Sequence, residues 1–521
     1  MPPPFTDSKL INAQLFDLSP GVFYDRHPMD IPLGGASAVN NLVWVDGYVR
    51  PRPGLTEAYP VVDSNQVVHL SQFVPLIGSV RLMRVSVTAS TTMHVHYYTA
   101  SMGWQRVTPI GGIAAALDPT DTPKSVNFKG RWYIAPGAIG IYEYDGTTFQ
   151  PLVTGITDDT KKPFDVPKFL AATESRLFLA NCLDNFSGGT RVPYRVAWCD
   201  FNNPKVWSTG SATGNGSARF IDLPNDSEPI TGLYAGPNST LLVFKARQVL
   251  LGEDVGSPLF WDFRMLQRGP GCVSAATIKE WRNGNVLCLG DDNVYIQVPG
   301  QIPQPVGDRI RPRLSQLAVA VDLRKSRAWI DRDNDLYTLV IPESSGASAG
   351  KVLRTFTLSL RNGGWWEGVY SIGTDQVTDA YEFRDGVWQS KELIATEQGH
   401  IYESTFGVTT DAGNAIPTSW TSGVIRIPQL SGNQTEQASL QKLRIYAASG
   451  AVNMGAYWGD NLDRFNYKDF GSQVIDGVAQ VYCSERATAE NFMIFMGTNN
   501  ASNSPKVAGL GASLILEGGT R

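Results

Sequence analysis

From residue 129 to residue 402 the chain restates one theme: alternating apolar and polar residues, a tight turn of Gly, Asp or Asn, and a second apolar run, often edged by Trp. It occupies Lys129–Leu152, Glu174–Trp207, Asn238–Phe263, Asn283–Val306, Lys325–Trp366 and Lys391–Tyr402. Alternation with a period of two puts every second side chain on one face, so these runs read as strands with one buried face. Asp145-Gly146, Asn283-Gly284, Asn362-Gly363 and Asp385-Gly386 are pairs that tolerate the positive φ of a tight hairpin turn. A small sheet recurring every roughly 40 to 55 residues buries its faces only by stacking on its copies, which is the arrangement of a β-propeller. The repeat carries no Trp-Asp or kelch signature, so its blade borders are soft.

At 521 residues the chain exceeds one compact core unless a propeller takes up most of it. A charged fraction of 18% against 42% hydrophobic residues, with 51 Gly and 32 Pro, fits a turn-rich all-β protein without long helices. A formal net charge of -5 argues against a protein that grips phosphate backbones. No stretch approaches the ~18 to 20 consecutive apolar residues of a membrane helix, and the start, Met1 to Asp7, has neither the basic nor the apolar segment of a secretory signal. The expectation is folding in a cytoplasm with no membrane anchor. The five cysteines, Cys182, Cys199, Cys272, Cys288 and Cys483, are widely spaced with no C-x-x-C pair and read as small buried hydrophobes.

The layout predicts three parts: an extended Pro- and Gly-rich arm over residues 1–35, a propeller over 36–407, and a C-terminal β-sandwich-like domain over 408–521. The arm must lie on its own body or on a neighbour's. The loops Ser208–Ser217 and Pro342–Lys351 are small and polar, as surface tips tend to be. In the last domain, Val424–Ile427, Leu440–Tyr446, Val452–Trp458, Val478–Tyr482, Phe492–Met496 and Ser513–Leu516 read as separate strands.

Candidate chemical sites are weak. Asp331-Arg332-Asp333-Asn334-Asp335 opens like a calcium loop, but Leu336 stands where that loop needs Gly and Pro342 where it needs Glu. A polar hairpin tip is the preferred reading. His94 and His96 project from the same face of a strand without an evident third ligand. Neither a nucleophile elbow nor a phosphate-binding loop is present. Trp198, Trp207, Trp261, Trp281, Trp329, Trp365 and Trp388 read as packing wedges between blades rather than stacking platforms. The sequence thus points to no enzyme, no cofactor and no metal.

Asn40 to Leu55 sets a strand, a turn and a strand after the arm and closes on Pro-Gly. In this segment the chain resembles the tail nozzle, or tail-hub stabilisation, proteins of short-tailed bacteriophages. Their Gly-Tyr-aliphatic-Arg-x-x-Pro-Gly element is matched by Gly47, Tyr48, Val49, Arg50, Pro53 and Gly54. Leu266 to Cys272 and the order of arm, propeller and terminal β domain are similar as well. The resemblance implies a structural virion protein of the tail, assembled in the host cytoplasm into a homohexameric ring. It also implies docking on the head-to-tail adaptor, contacts with tail fibre and plug or needle proteins, and passage of genomic duplex DNA without sequence-specific binding. Arg50 and Arg52 are then candidate anchors of the arm or of a subunit interface, since Arg forks pair with carboxylates. A glycan- or receptor-binding propeller of a tail tip and a propeller glycosidase are the alternatives.

Overall fold

The structure, a computed structural model, describes residues 10–15, 17–88, 92–110, 123–137, 140–152, 166–184, 189–207, 216–223, 228–343, 352–370, 372–373, 375–384, 390–427, 437–461, 464–498 and 505–517. It is all-β: a seven-bladed propeller joined to one ten-stranded, nearly closed sheet. Among the described residues one α-helix occurs, Arg311–Ala320, after the fifth blade.

Blade one is residues 66–107, blade two 124–151, blade three 169–222, blade four 230–268, blade five 279–305 and blade six 327–370. Each is a four-stranded antiparallel sheet whose strands follow one another in chain order. Blade seven takes three strands from residues 377–405 and its outer strand, Gly54–Tyr59, from the other side of the propeller sequence. That strand pairs with Ile401–Thr405 in the register Leu55 to Ser404 and Tyr59 to Ile401. The ring is therefore closed by backbone hydrogen bonds between the two ends of the propeller.

The apolar clusters lie between blades rather than within them, as small stacked sheets require. Phe73, Met83 and Val95 of blade one pack with Trp132, Ile134 and Phe149 of blade two. Phe178 and Trp198 of blade three pack with Leu241, Val243 and Trp261 of blade four. Val67, Leu70 and Leu82 meet Phe383, Leu393 and Ile401 across the closure. Of the tryptophans that read as wedges, Trp198, Trp207, Trp261, Trp329 and Trp365 are buried, and Trp281 is half-buried against the same core. They do not recur at one blade position, since Trp198 ends a third strand, Trp261 opens a fourth and Trp329 sits in a first. Trp388 and Asp385-Gly386 lie outside the described residues.

Asn283 and Gly284 turn with φ of 59° and 75°, and Gly146 and Gly363 also have positive φ, as those turn pairs require. Of the loop Ser208–Ser217 only Gly216 and Ser217 are described; Ser217 is buried and its N–H donates to Asp200 Oδ1 at 3.0 Å. Of Pro342–Lys351 the structure describes Pro342 and Glu343, which end a strand.

Residues 36–51 belong to the ten-stranded sheet, where the sequence reading placed them in the propeller. Ala36–Asn40 pairs with Thr418–Ser422, and Val49 of the hairpin Leu42–Pro51 is paired with Val507. A hairpin carries no local mark of which sheet it will join. The arm lies on its own body: Leu10–Leu15 pairs with Leu510–Ile515, and Val22 N donates to Trp365 O at 2.8 Å. A Cβ on Gly21 would sit 2.2 Å from Trp365 O, so only glycine permits this approach. Two of the expected strands, Leu440–Tyr446 and Val452–Trp458, are one strand, Gln437–Asn461, because the chain passes Gly450 in a bulge. Its hairpin partner, Arg464–Ala489, contains the expected Val478–Tyr482, and the expected Phe492–Met496 and Ser513–Leu516 lie within the strands Asn491–Thr498 and Lys506–Glu517.

Propeller and sheet meet at Arg52. All five N–H groups of its buried guanidinium are used: Nε donates to Asn41 Oδ1 at 2.9 Å, Nη1 to Asp411 Oδ1 and Pro53 O at 3.0 and 2.8 Å, and Nη2 to Asp411 Oδ2 and Val369 O, both at 2.5 Å. The same group lies 3.8 Å from the Tyr370 ring centroid. Arg50 stacks 3.9 Å over Phe406 and donates to Asn334 Oδ1 at 3.3 Å. Both arginines are thus held by contacts within their own chain. Arg52→Ala is expected to lower stability by about 3–5 kcal/mol, because Asp411 stays buried after losing the cation it is paired with. Arg52→Lys should recover less than half of that loss, since an ammonium has three donors where five are in use; urea denaturation of both variants is the measurement.

Candidate functional site in the propeller channel

The first strand of each blade lines the central channel. Lys124, Lys279 and Arg327 are each the first residue of such a strand, in blades two, five and six. Asp379 and His69 stand beside bulges in the inner strands of blades seven and one. These residues converge: His69 Nδ1 is 3.2 Å from Asp379 Oδ2, His69 Nε2 is 2.8 Å from Ser125 Oγ, and Arg327 Nε is 3.9 Å from Asp379 Oδ1. Leu70 N–H also donates to Asp379 Oδ2, at 2.8 Å. An ionised carboxylate only accepts, so Nδ1 of a neutral His69 carries its proton and Nε2 accepts the Ser125 hydroxyl.

Charge and burial set the protonation states. Burial alone would raise the Asp379 carboxyl, but the His69 hydrogen bond, the Arg327 charge and the Leu70 N–H hold it at about 2. Burial pushes His69 down more than Asp379 pulls it up, keeping it neutral. Burial lowers Lys124 to about 8, with the charges of Arg327 and Lys279 acting in the same direction. Lys279 is lowered chiefly by burial, with Asp379 and Glu382 opposing. None of these six residues stood out in the sequence. The available signal was a cation opening successive apolar runs, Lys124-Ser-Val, Lys279-Glu-Trp and Arg327-Ala-Trp, and it acquires meaning once the blade phase is known.

The residues singled out by sequence lie elsewhere. Asp331 to Asp335 forms the hairpin tip of blade six, with Asp331 accepting from Asn334 N at 2.9 Å and Nδ2 at 2.7 Å. Asp335 accepts from Arg282, Arg361 and Trp281. His94 and His96 share a face with ring centroids 6.3 Å apart. Asp63, missed by sequence, is 3.8 Å from His94 and bound to Arg84 at 2.7 Å. Burial and then the Arg84 charge lower His96 to about 4. Among the described residues no three His, Cys, Asp or Glu side chains gather to hold a metal ion. Cys182, Cys199, Cys272 and Cys288 are buried free thiols; the Cys483 side chain lies outside the described residues.

A second polar cluster sits between blades six and seven, where Asp331, Glu392, Thr338, Thr357, Ser404 and Arg52 line a cavity of about 10 Å³. That is room for about one water, so these two acids cannot straddle a sugar as paired glycosidase carboxylates do.

No family model matches the chain, and no curated protein matches it. Among solved structures it is similar to virginiamycin B lyase from Staphylococcus aureus at 10% identity, over 67% of this chain and 98% of that one, with a TM-score of 0.42. It is also similar to the Dos1 propeller at 11% identity, over 70% and 97%, with a TM-score of 0.39. YCF48 from Cyanidioschyzon merolae matches at 9% identity, over 67% and 98%, with a TM-score of 0.39.

Burial first, and the Asp331 charge second, raise Glu392 from 4.5 to about 9. Between these values the folded chain holds a proton that the unfolded chain releases, so this group lowers stability as pH rises through the window. Glu392→Gln, which mimics the protonated acid, is expected to match wild type near about pH 4 and exceed it by about 1–3 kcal/mol near about pH 8. Urea midpoints at the two pH values check this, and equal midpoints at the higher pH would refute it.

Proposed function

We propose that this chain is a structural virion protein, a tail nozzle subunit of a short-tailed bacteriophage. It forms a homohexameric ring below the portal and its adaptor, and conducts or gates the exit of duplex DNA. The observation that best supports the reading is the free edge of Arg464–Ala489. This 26-residue strand pairs with Gln437–Asn461 on one side, and among the described residues nothing pairs on its other side. At about 3.3 Å per residue it offers roughly 85 Å of unpaired N–H and C=O groups. A lone protein carrying such an edge is prone to uncontrolled pairing, and a ring removes the hazard by giving every edge a partner.

The occupant of the edge is therefore a second copy of the chain. Tyr467 and Val478, at 46% and 51% exposure, present apolar surface along the same strand. The net charge of -5 suits a wall along which DNA slides, because an acidic surface gives phosphate no trap. The adaptor, the tail fibres and a plug or needle protein are the partners this position implies, and the location is the virion tail. The role is mechanical, with no catalysis by this chain.

Negative-stain images and light scattering of the purified protein, alone and with a portal–adaptor complex, are expected to reveal rings. The double variant Tyr467→Asp, Val478→Asp should need roughly tenfold higher concentration to assemble while keeping its β circular dichroism signal. A chain that stays monomeric alone and with the adaptor, or that cleaves a polysaccharide, overturns the proposal.

A further inference from the structure

We propose that the throat of the propeller channel is a receptor for a compact tetrahedral dianion of the phosphate or sulfate type, held between Lys124, Lys279, Arg327 and the hydroxyl of Ser125. Lys124, Lys279 and Arg327 each open the inner strand of a blade, in blades two, five and six, and Asp379 of blade seven lies 3.9 Å from Arg327. Asp379 sets one negative charge against three positive ones, and its oxygens are engaged by His69 Nδ1 and the Leu70 N–H and face Arg327. Glu382, whose charge also reaches Lys279, is held by Arg332 and Arg384. Among the described residues neither Lys124 nor Lys279 makes a side-chain hydrogen bond or ion pair. Three cations against one carboxylate leave an excess of positive charge in a partly desolvated passage, where mutual repulsion is weakly screened. A dianion supplies the missing charge.

The donor set fits that ligand. Two ammonium groups are rotatable point charges with three donors each, and Arg327 is held by the Thr378 carbonyl at 3.1 Å and the Ser326 carbonyl at 3.0 Å. Ser125 Oγ is free to turn its hydrogen from His69 Nε2 to an incoming oxygen. The site lies in the throat of the single subunit, so it does not depend on the ring, and failure of either reading leaves the other standing.

The test uses the full chain with inorganic phosphate and, separately, sulfate, each against sodium chloride of equal ionic strength. Thermal unfolding is expected to shift upward saturably with either dianion and not with chloride. Lys279→Gln should weaken phosphate binding roughly tenfold or more. The double variant Lys124→Met, Lys279→Met should lose the shift altogether and, without phosphate, should unfold at a higher temperature than wild type because the repulsion is gone. A shift that persists in the double variant, or that chloride reproduces, overturns the site. So does the absence of any saturable shift up to about 10 mM phosphate.

Discussion

The ion pair of Arg52 with Asp411 holds together parts of the chain that no local force would join. Arg52 lies two residues before Gly54–Tyr59, the strand that closes the propeller, and Asp411 ends a short strand that pairs with it at Leu55. The guanidinium also binds Val369 of blade six and Asn41 of the ten-stranded sheet. Asn41 in turn donates to Pro417 O at 2.8 Å and accepts from Val369 N at 2.7 Å. One buried side chain thus fixes where the ring closes, in which register, and how the sheet sits on blade six. Burying such a pair brings little net stability, because both ions give up water. Its value lies in geometry: a half-formed junction leaves an unpaired buried charge, so near-miss closures are penalised.

Closure matters because the blades have no cores of their own. Six of the clusters are shared by neighbouring blades, and the blade five–six interface continues into the sheet through Ile310, Leu314, Trp365 and Trp420. Removing the closing strand would expose the Tyr59, Tyr98 and Trp104 contact, where ring centroids lie 4.7 and 5.8 Å from Tyr59. It would also leave the outer edge of blade seven open.

The sequence exposed what local physics dictates. Period-two alternation gave the strands, and Asn283-Gly284 and Asn362-Gly363 gave true tight turns. What it hid was pairing at long range. The themes beginning at Lys129, Glu174, Asn238 and Asn283 start at the second strand of their blades, because the first strand faces the channel on its leading edge and stands apart in sequence. Residues 36–51 show the same alternation as a blade, and nothing in them encodes that Val507 is their neighbour. Arg52 looked like a surface fork because its carboxylate partner is 359 positions away. The channel site was illegible for a related reason: His69, Ser125 and Asp379 come from three blades and become a unit only when the ring closes.

An acidic chain with cations at its centre involves no contradiction. Four strands at about 4.8 Å spacing put the outer edge of a blade roughly 15 Å from its inner strand. The screening length at physiological salt is about 8 Å, so the throat and the rim set separate potentials. In the proposed ring the rim and the sheet face DNA and repel it, while the throat of each wheel draws small anions out of solution. Both behaviours follow from where charge is placed rather than from its sum, and the propeller supplies the separation because its radius is fixed by strand spacing.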